Sequence, residues 1–195
     1  LDSAIRSTIA FFDIFQYPLT AFEIRQYLPL KASQFEVMEA LENPELNLEK
    51  GSGFYTLPGR LAQLQSTRRE RYLASDVKIK KARRLLRLFS WLPWIKLICL
   101  ANTIGTHNLR PGGDIDLFIV TQKNRLWLTK LFATSITQLA GLRPTALRSA
   151  DKLCLSFLVD ESALDLSGFR LPDDHYFPHW VAGLVPLYGH PRVYD

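Results

Sequence analysis

Ile5, Ile9 and Phe12 recur at helical spacing and Phe15 continues the stripe, so the chain opens as a helix with one apolar face. Tyr17-Pro18 ends it, because the residue before a proline avoids the α region. Thr20 with Glu23, and Ser33 with Glu36, form two capping-box patterns. Ile24, Tyr27 and Leu28 give the first of these helices its inner face, and Pro29 stops it; Val37, Met38 and Leu41 serve the second. Asn47–Glu49 and Phe54–Leu57 then flank Lys50-Gly51-Ser52-Gly53, a hairpin signal closed by Pro58-Gly59. From Arg60 to Ser90 the chain lacks Gly and Pro and reads as one long helix or two joined ones, broken at Pro93 between Trp91 and Trp94.

Beyond Pro93 strand and helix alternate. Ile95–Leu100, interrupted only by Lys96, and Ile115–Val120 read as buried strands. Between Asn124 and Ala140, Leu128, Leu131, Ile136 and Leu139 predict a helix with Gly141 as its cap. Leu153–Val159 is a third strand, and the tail from Pro172 holds one short helix near His179–Val185. The fold class is α+β, in three parts: 1–59, a basic linking helix over 60–93, and a small mixed-sheet domain over 94–195. The order of three helices and a hairpin in 1–59 resembles a winged helix.

Charge sharpens this division. The chain of 195 residues carries a net charge of +5. Residues 66–87 hold nine Lys or Arg against two acids, which leaves the rest slightly acidic. Such density predicts either a phosphate-rich partner, RNA or another polyanion, or the solvated face of a long helix. The third helix of the winged-helix-like module carries Glu36, Glu39 and Glu42, with Glu45 and Glu49 following. Carboxylates there are repelled by backbone phosphate, so sequence-specific DNA reading is disfavoured against a structural or protein-docking role. No apolar run reaches the roughly 20 residues of a membrane span. The two cysteines, Cys99 and Cys154, lie in apolar runs, which excludes a disulfide framework, speaks against a structural zinc site and points to a reducing cytoplasm. No signal segment opens the chain, and the missing initiator methionine fits a piece of a longer protein.

Candidate chemistry concentrates in Ile98–Thr121, ICLANTIGTHNLRPGGDIDLFIVT. Asp114 and Asp116 flank Ile115 at the start of a strand, so alternation puts both carboxylates on one face, roughly 7 Å apart along the chain. Two such carboxylates repel unless a cation sits between them, and magnesium is a hard cation suited to carboxylate and phosphate oxygens. Upstream, Asn102-Thr103 ends a buried strand in a turn able to offer N–H groups and a hydroxyl to a phosphate.

The apolar strand, the turn, a ten-residue spacer and then Asp-apolar-Asp-apolar resemble the nucleotidyltransferase superfamily that includes DNA polymerase β and the minimal nucleotidyltransferases, over about residues 94–166. The resemblance implies a magnesium-dependent transferase moving a nucleoside monophosphate from a nucleoside triphosphate to an acceptor. In it Asp114 and Asp116 hold Mg2+, one ion activating the acceptor hydroxyl and another steadying pyrophosphate. Asn102 and Thr103 stand at the family's Gly-Ser position. Asn is the next best residue after Gly for a left-handed turn, and Thr keeps the hydroxyl. The family's third carboxylate lies on the third strand, but Leu153–Val159 holds no acid. Alternation from Cys154, Ser156 and Leu158 makes Asp160 the candidate, with Asp165 a further one. Arg110, Lys123 and Arg125 are either phosphate-neutralising or solvated loop cations. His175 and His179, near Asp173 and Asp174, have helical spacing, but the prolines at 172 and 178 argue against a metal site there. Trp91 and Trp94 fit hinge packing better than base stacking, and Ser156 and Cys154 lack a neighbouring His for nucleophile roles. The departures at the Gly-Ser position and the third strand favour the alternative, a catalytically degenerate module that binds nucleotide, RNA or a protein partner, while the intact Asp114-Ile115-Asp116 favours the transferase.

Overall fold

Ile5, Ile9 and Phe12 are buried together on one face of α1 (Asp2–Ile14), as their spacing predicts. In the computed structural model residues 1–89, 91–145, 147–172, 174 and 176–189 are described, Ile104 by its backbone alone. They divide into two compact units, Leu1–Tyr72 and Leu73–Asp195.

In the first unit β1 (Leu19–Thr20) leads into α2 (Ala21–Tyr27), and α3 (Gln34–Ala40) follows. Both predicted capping boxes form: Thr20 with Glu23, and Ser33 with Glu36. Tyr17, Leu19, Ile24, Val37, Leu41 and Leu46 complete the core around the α1 stripe. Met38 is 55% exposed, because α3 is only two turns long and Val37 and Leu41 fill its inner face. The hairpin turn is tighter than the four-residue loop the sequence predicts. Ser52 (φ 51°) and Gly53 (φ 80°) both take left-handed backbone, the requirement of a two-residue type I′ turn, so Lys50 and Gly51 join strand β2 (Glu49–Gly51) opposite β3 (Phe54–Thr56). β1 adds to the other edge of β3, an element too short to be legible as a strand.

The long helix, α4, spans Leu61–Leu85 and tightens into a 3-10 turn at Leu86–Phe89. Its basic residues do not all face solvent. In the first unit Arg68 makes two hydrogen bonds to Glu23, at 2.9 and 2.7 Å, and lies over the Tyr17 ring. Arg71, 7% exposed, donates to the Phe15 carbonyl at 2.8 Å.

The second unit holds the three expected strands, β4 (Ile95–Leu100), β5 (Ile115–Thr121) and β6 (Leu153–Asp160), in a sheet of order β6-β5-β4-β7. β5 and β6 run parallel, joined through α5 (Leu126–Leu139), while β4 is antiparallel to both β5 and β7 (Val185–Gly189). Ile115, Leu117, Ile119 and Ile98 face a core closed by Ala133 of α5 and by Ala82, Leu86 and Phe89. Cys99, Phe118 and Val120 face the other way, under Trp180 of α6 (Tyr176–Ala182).

The helix expected from Leu128, Leu131, Ile136 and Leu139 forms, with Ile136 packed against the core, but its fully buried residues are Thr129, Ala133 and Thr137, whereas Leu131 is 62% and Leu139 90% exposed. Small residues let the helix lie close on the sheet, and each buried threonine hydroxyl donates to the carbonyl four residues back at 2.8 Å. In the tail the helix ends at Ala182, and Val185 starts a strand instead. Pro186 is tolerated because β7 lies at the sheet edge. Asp173 and His175 lie outside the described residues, and His179 is on α6.

Candidate metal centre

The end of β4 and the start of β5 are adjacent antiparallel strands, so the loop between them is anchored at both ends. Ala101 N–H donates to the Asp116 carbonyl at 3.0 Å. Asn102 then takes φ 63°, the left-handed turn expected of it, and opens a 3-10 turn over Asn102–Thr106. Gly105 is obligatory in that turn: a Cβ there would stand 2.2 Å from the Gly183 carbonyl at the end of α6. Further on, Leu109 N–H donates to the buried Ser75 hydroxyl at 3.0 Å. The Gly113 carbonyl accepts from Asp151 N–H at 3.0 Å and from the Lys78 ammonium. Lys78 is 3% exposed, and both it and Lys81 lie 3.2 Å from the Asp151 carboxylate. Residues of α4 therefore hold the chain immediately ahead of Asp114.

Asp116 lies directly across from Cys154 in the parallel β5–β6 register. Ligand atoms of Asp114, Asp116 and Cys154 all lie within 4.8 Å of one another, each residue half-buried. Asn102 donates its amide to Asp116 Oδ2 and accepts from the Trp180 indole N–H at 2.9 Å. An indole N–H can only donate, so the amide oxygen faces Trp180 and the NH2 faces the carboxylate. Burial pushes the Asp116 carboxyl above the ordinary carboxylate range; the Asn102 bond opposes this and the neighbouring Asp114 charge adds to it. The Cys154 thiol is also raised, first by burial, with the Asp116 and Asp114 charges adding and the Ser156 hydroxyl, 2.7 Å away, opposing. Cys99, 4% exposed, is pushed by burial up to about 11, as befits an inert core thiol.

Asp160 does not join this group. The β5–β6 register shifts between Asp116, opposite Cys154, and Phe118, opposite Phe157, so β6 holds one extra residue there. Past that bulge the alternation of β6 is inverted. Asp160 pairs with Thr121, which alternates with Asp116 along β5, and so stands on the opposite face of the sheet and about 17 Å further along. Its carboxylate instead accepts from Ser162 N–H at 2.9 Å and from the Ser162 hydroxyl at 2.6 Å. Asp165 likewise accepts from Ser167 N–H, at 2.9 Å. Lys123 is at the Asp160 end, its N–H bonded to Glu161 at 3.1 Å. Arg110 is exposed in the loop before Gly113. The Thr103 hydroxyl donates within its own loop, to the Asn108 carbonyl at 3.2 Å. The structure thus brings together Asn102, Asp114 and Asp116 and adds Cys154, to which sequence reasoning assigns no role. Its signal is its place at the start of the third strand, on the face where a third acid is expected.

No protein-family model, no curated protein and no solved structure matches the chain.

The donor set decides which ions suit the centre. A transferase of two magnesium ions needs oxygen ligands throughout, and the third donor here is a thiol. Among the described residues the donor set therefore differs from that of such a transferase. It offers two carboxylates and one sulfur, enough for a single divalent cation with an open position.

Proposed function

We propose that the second unit is a nucleotidyltransferase-like module that binds a nucleotide through one divalent cation and does not turn it over. The observation that carries this reading is Cys154, standing beside Asp114 and Asp116 where a transferase would need a carboxylate. The strand, left-handed turn and Asp-Ile-Asp order supports the nucleotide class, the phosphates completing the coordination of an ion on Asp114 and Asp116. The first unit is read as a winged-helix-like docking module, its α3 too rich in carboxylates to approach a phosphate backbone.

The test is incubation of the whole chain with each labelled nucleoside triphosphate and with magnesium, manganese or zinc, scoring retained label and released pyrophosphate separately. Metal-dependent retention of at least one nucleotide is expected, lost in Asp114→Asn/Asp116→Asn, with no pyrophosphate release. Absence of retention with every ion overturns the reading. Pyrophosphate release by the native chain replaces it with the transferase reading.

A further inference from the structure

We infer that the Asp114–Asp116–Cys154 centre takes a zinc-type divalent ion in preference to magnesium, with the Cys154 thiolate as third ligand and the fourth position open to a phosphate oxygen or water. It rests on the proposed nucleotide reading only for what fills the fourth position.

Cys154 and Asp116 face each other across adjacent strands, and Asp114 immediately precedes β5, so three ligands come from two hydrogen-bonded segments. The ligand atoms lie within 4.8 Å of one another. A tetrahedral ion with one sulfur near 2.3 Å and oxygens near 2.1 Å asks for ligand separations of about 3.5 Å, within reach of side-chain torsions alone. Three protein ligands and one open position is the coordination of a zinc site that handles a ligand, distinct from the closed four-ligand structural site that two cysteines and few histidines exclude.

The surroundings suit this ion. The Asn102 amide, fixed by Trp180, occupies one oxygen of Asp116 and aims the other. Ser156 Oγ, 2.7 Å from the sulfur, donates to the thiolate once the ion has displaced the thiol proton to solvent. Magnesium, which accepts oxygen only, would leave the sulfur idle and hold to the two aspartates alone. Zinc and cobalt use all three donors, which predicts a preference over magnesium on the order of a hundredfold or more.

Chelator-stripped whole chain is titrated with cobalt(II) alone, following the thiolate-to-cobalt charge-transfer absorption, and then with zinc or magnesium as competitor. The native chain is expected to develop the band, to lose it to stoichiometric zinc and to keep it in hundredfold magnesium. Cys154→Ser should abolish the band and weaken zinc by at least the roughly 10- to 100-fold that loss of an outer-shell partner costs, while leaving weak magnesium binding unchanged; Cys99→Ala should keep the band. In a parallel measurement that needs no variant, zinc should protect the native chain's Cys154 from alkylation. A band that never forms, one that survives Cys154→Ser, equal competition by magnesium, or alkylation indifferent to zinc each overturns the inference. None of these readouts contains nucleotide, so a failed nucleotide assay strikes the proposed function and leaves this result standing.

Discussion

Lys78→Met removes an ammonium that is 3% exposed and bonded to the chain just ahead of Asp114. Removing one member of a fully buried ion pair costs about 3–5 kcal/mol, because the other charge is stranded. That figure is too large here. The side chain of Asp151 is 38% exposed and keeps Lys81 at 3.2 Å, and the Gly113 carbonyl keeps the Asp151 N–H at 3.0 Å. What is lost is a charge-assisted hydrogen bond, about 1.5–3 kcal/mol, less the desolvation the ammonium no longer suffers. Methionine preserves the packing of the aliphatic stem. The net expectation is about 1–2 kcal/mol of destabilisation. All four tryptophans, Trp91, Trp94, Trp127 and Trp180, belong to the second unit, so urea unfolding followed by tryptophan fluorescence reports on that unit. Lys80→Met, two residues on with its side chain 66% exposed, is the control and should change stability by less than about 0.5 kcal/mol. There is also a pH signature. Burial alone would raise the Asp151 carboxyl, but the Lys78 and Lys81 ammoniums hold it below the usual range. A depressed carboxyl contributes stability above its unfolded value and loses it as pH falls through its folded value, so the acid-side loss should be shallower in Lys78→Met. Equal effects of the Lys78 and Lys80 substitutions would refute the assignment of Lys78 as a fastener of the Asp114 loop.

Glu23→Gln should destabilise the first unit by about 1–3 kcal/mol at neutral pH, since burial opposes the Glu23 charge and the Arg68 and Thr20 bonds outweigh it to hold the carboxyl below its ordinary value. That stability is present above the unfolded pKa and is lost as pH falls through the depressed folded value, so the protection of α2 amides, as the exchange rate relative to its intrinsic value at each pH, should fall on acidification in the native chain and not in the variant; identical protection profiles would contradict the network. Lys80, Arg83 and Arg84 on α4 and Arg87 in the 3-10 turn after it are exposed, and if they meet a polyanion, Arg83→Gln/Arg84→Gln/Arg87→Gln should lower the salt slope of poly(U) binding by about 2. No binding by the native chain at low salt would leave α4 a solvated face.

Legibility along the chain followed how local the deciding physics is. Both capping boxes, the stripe of α1 and the strands β4 and β5 were readable because a few adjacent residues determine each. Asn102 was readable as a left-handed residue for the same reason, since its short polar side chain tolerates φ 63°. The inward face of α5 was not, because hydrophobicity ranks Leu131 and Leu139 above Thr129 and Thr137. Close approach to the sheet selects small residues instead, and a threonine hydroxyl in a helix satisfies itself. The count of basic residues in 66–87 overstated the charge available to a partner. Arg68, Arg71, Lys78 and Lys81 are committed to Glu23, Phe15, Gly113 and Asp151, partners 30 or more residues away in sequence.

The face that Asp160 takes turned on a single inserted residue. With strict alternation, Cys154, Ser156, Leu158 and Asp160 would share a face of β6, with Asp160 its acid. The register instead slips between the partners of Asp116 and Phe118, so Phe157 and Val159 follow Cys154 on the Asp116 face, and Leu158 and Asp160 turn to the other. The slip is consistent with packing. Leu155 and Leu158 lie against the core that contains Leu117 and Ile119, while Val159 packs with Phe118, Val120 and Trp180. Without the bulge Leu158 would be taken off the first core and Val159 off the second. The same packing that stabilises both faces of the sheet therefore turns Asp160 to the face opposite Asp116, while its place six residues past Cys154, roughly 20 Å along β6, keeps it from the centre in either register. A bulge is set by side chains on two strands and two layers, none adjacent in sequence, which is why the face that Asp160 takes could be seen only in the folded chain.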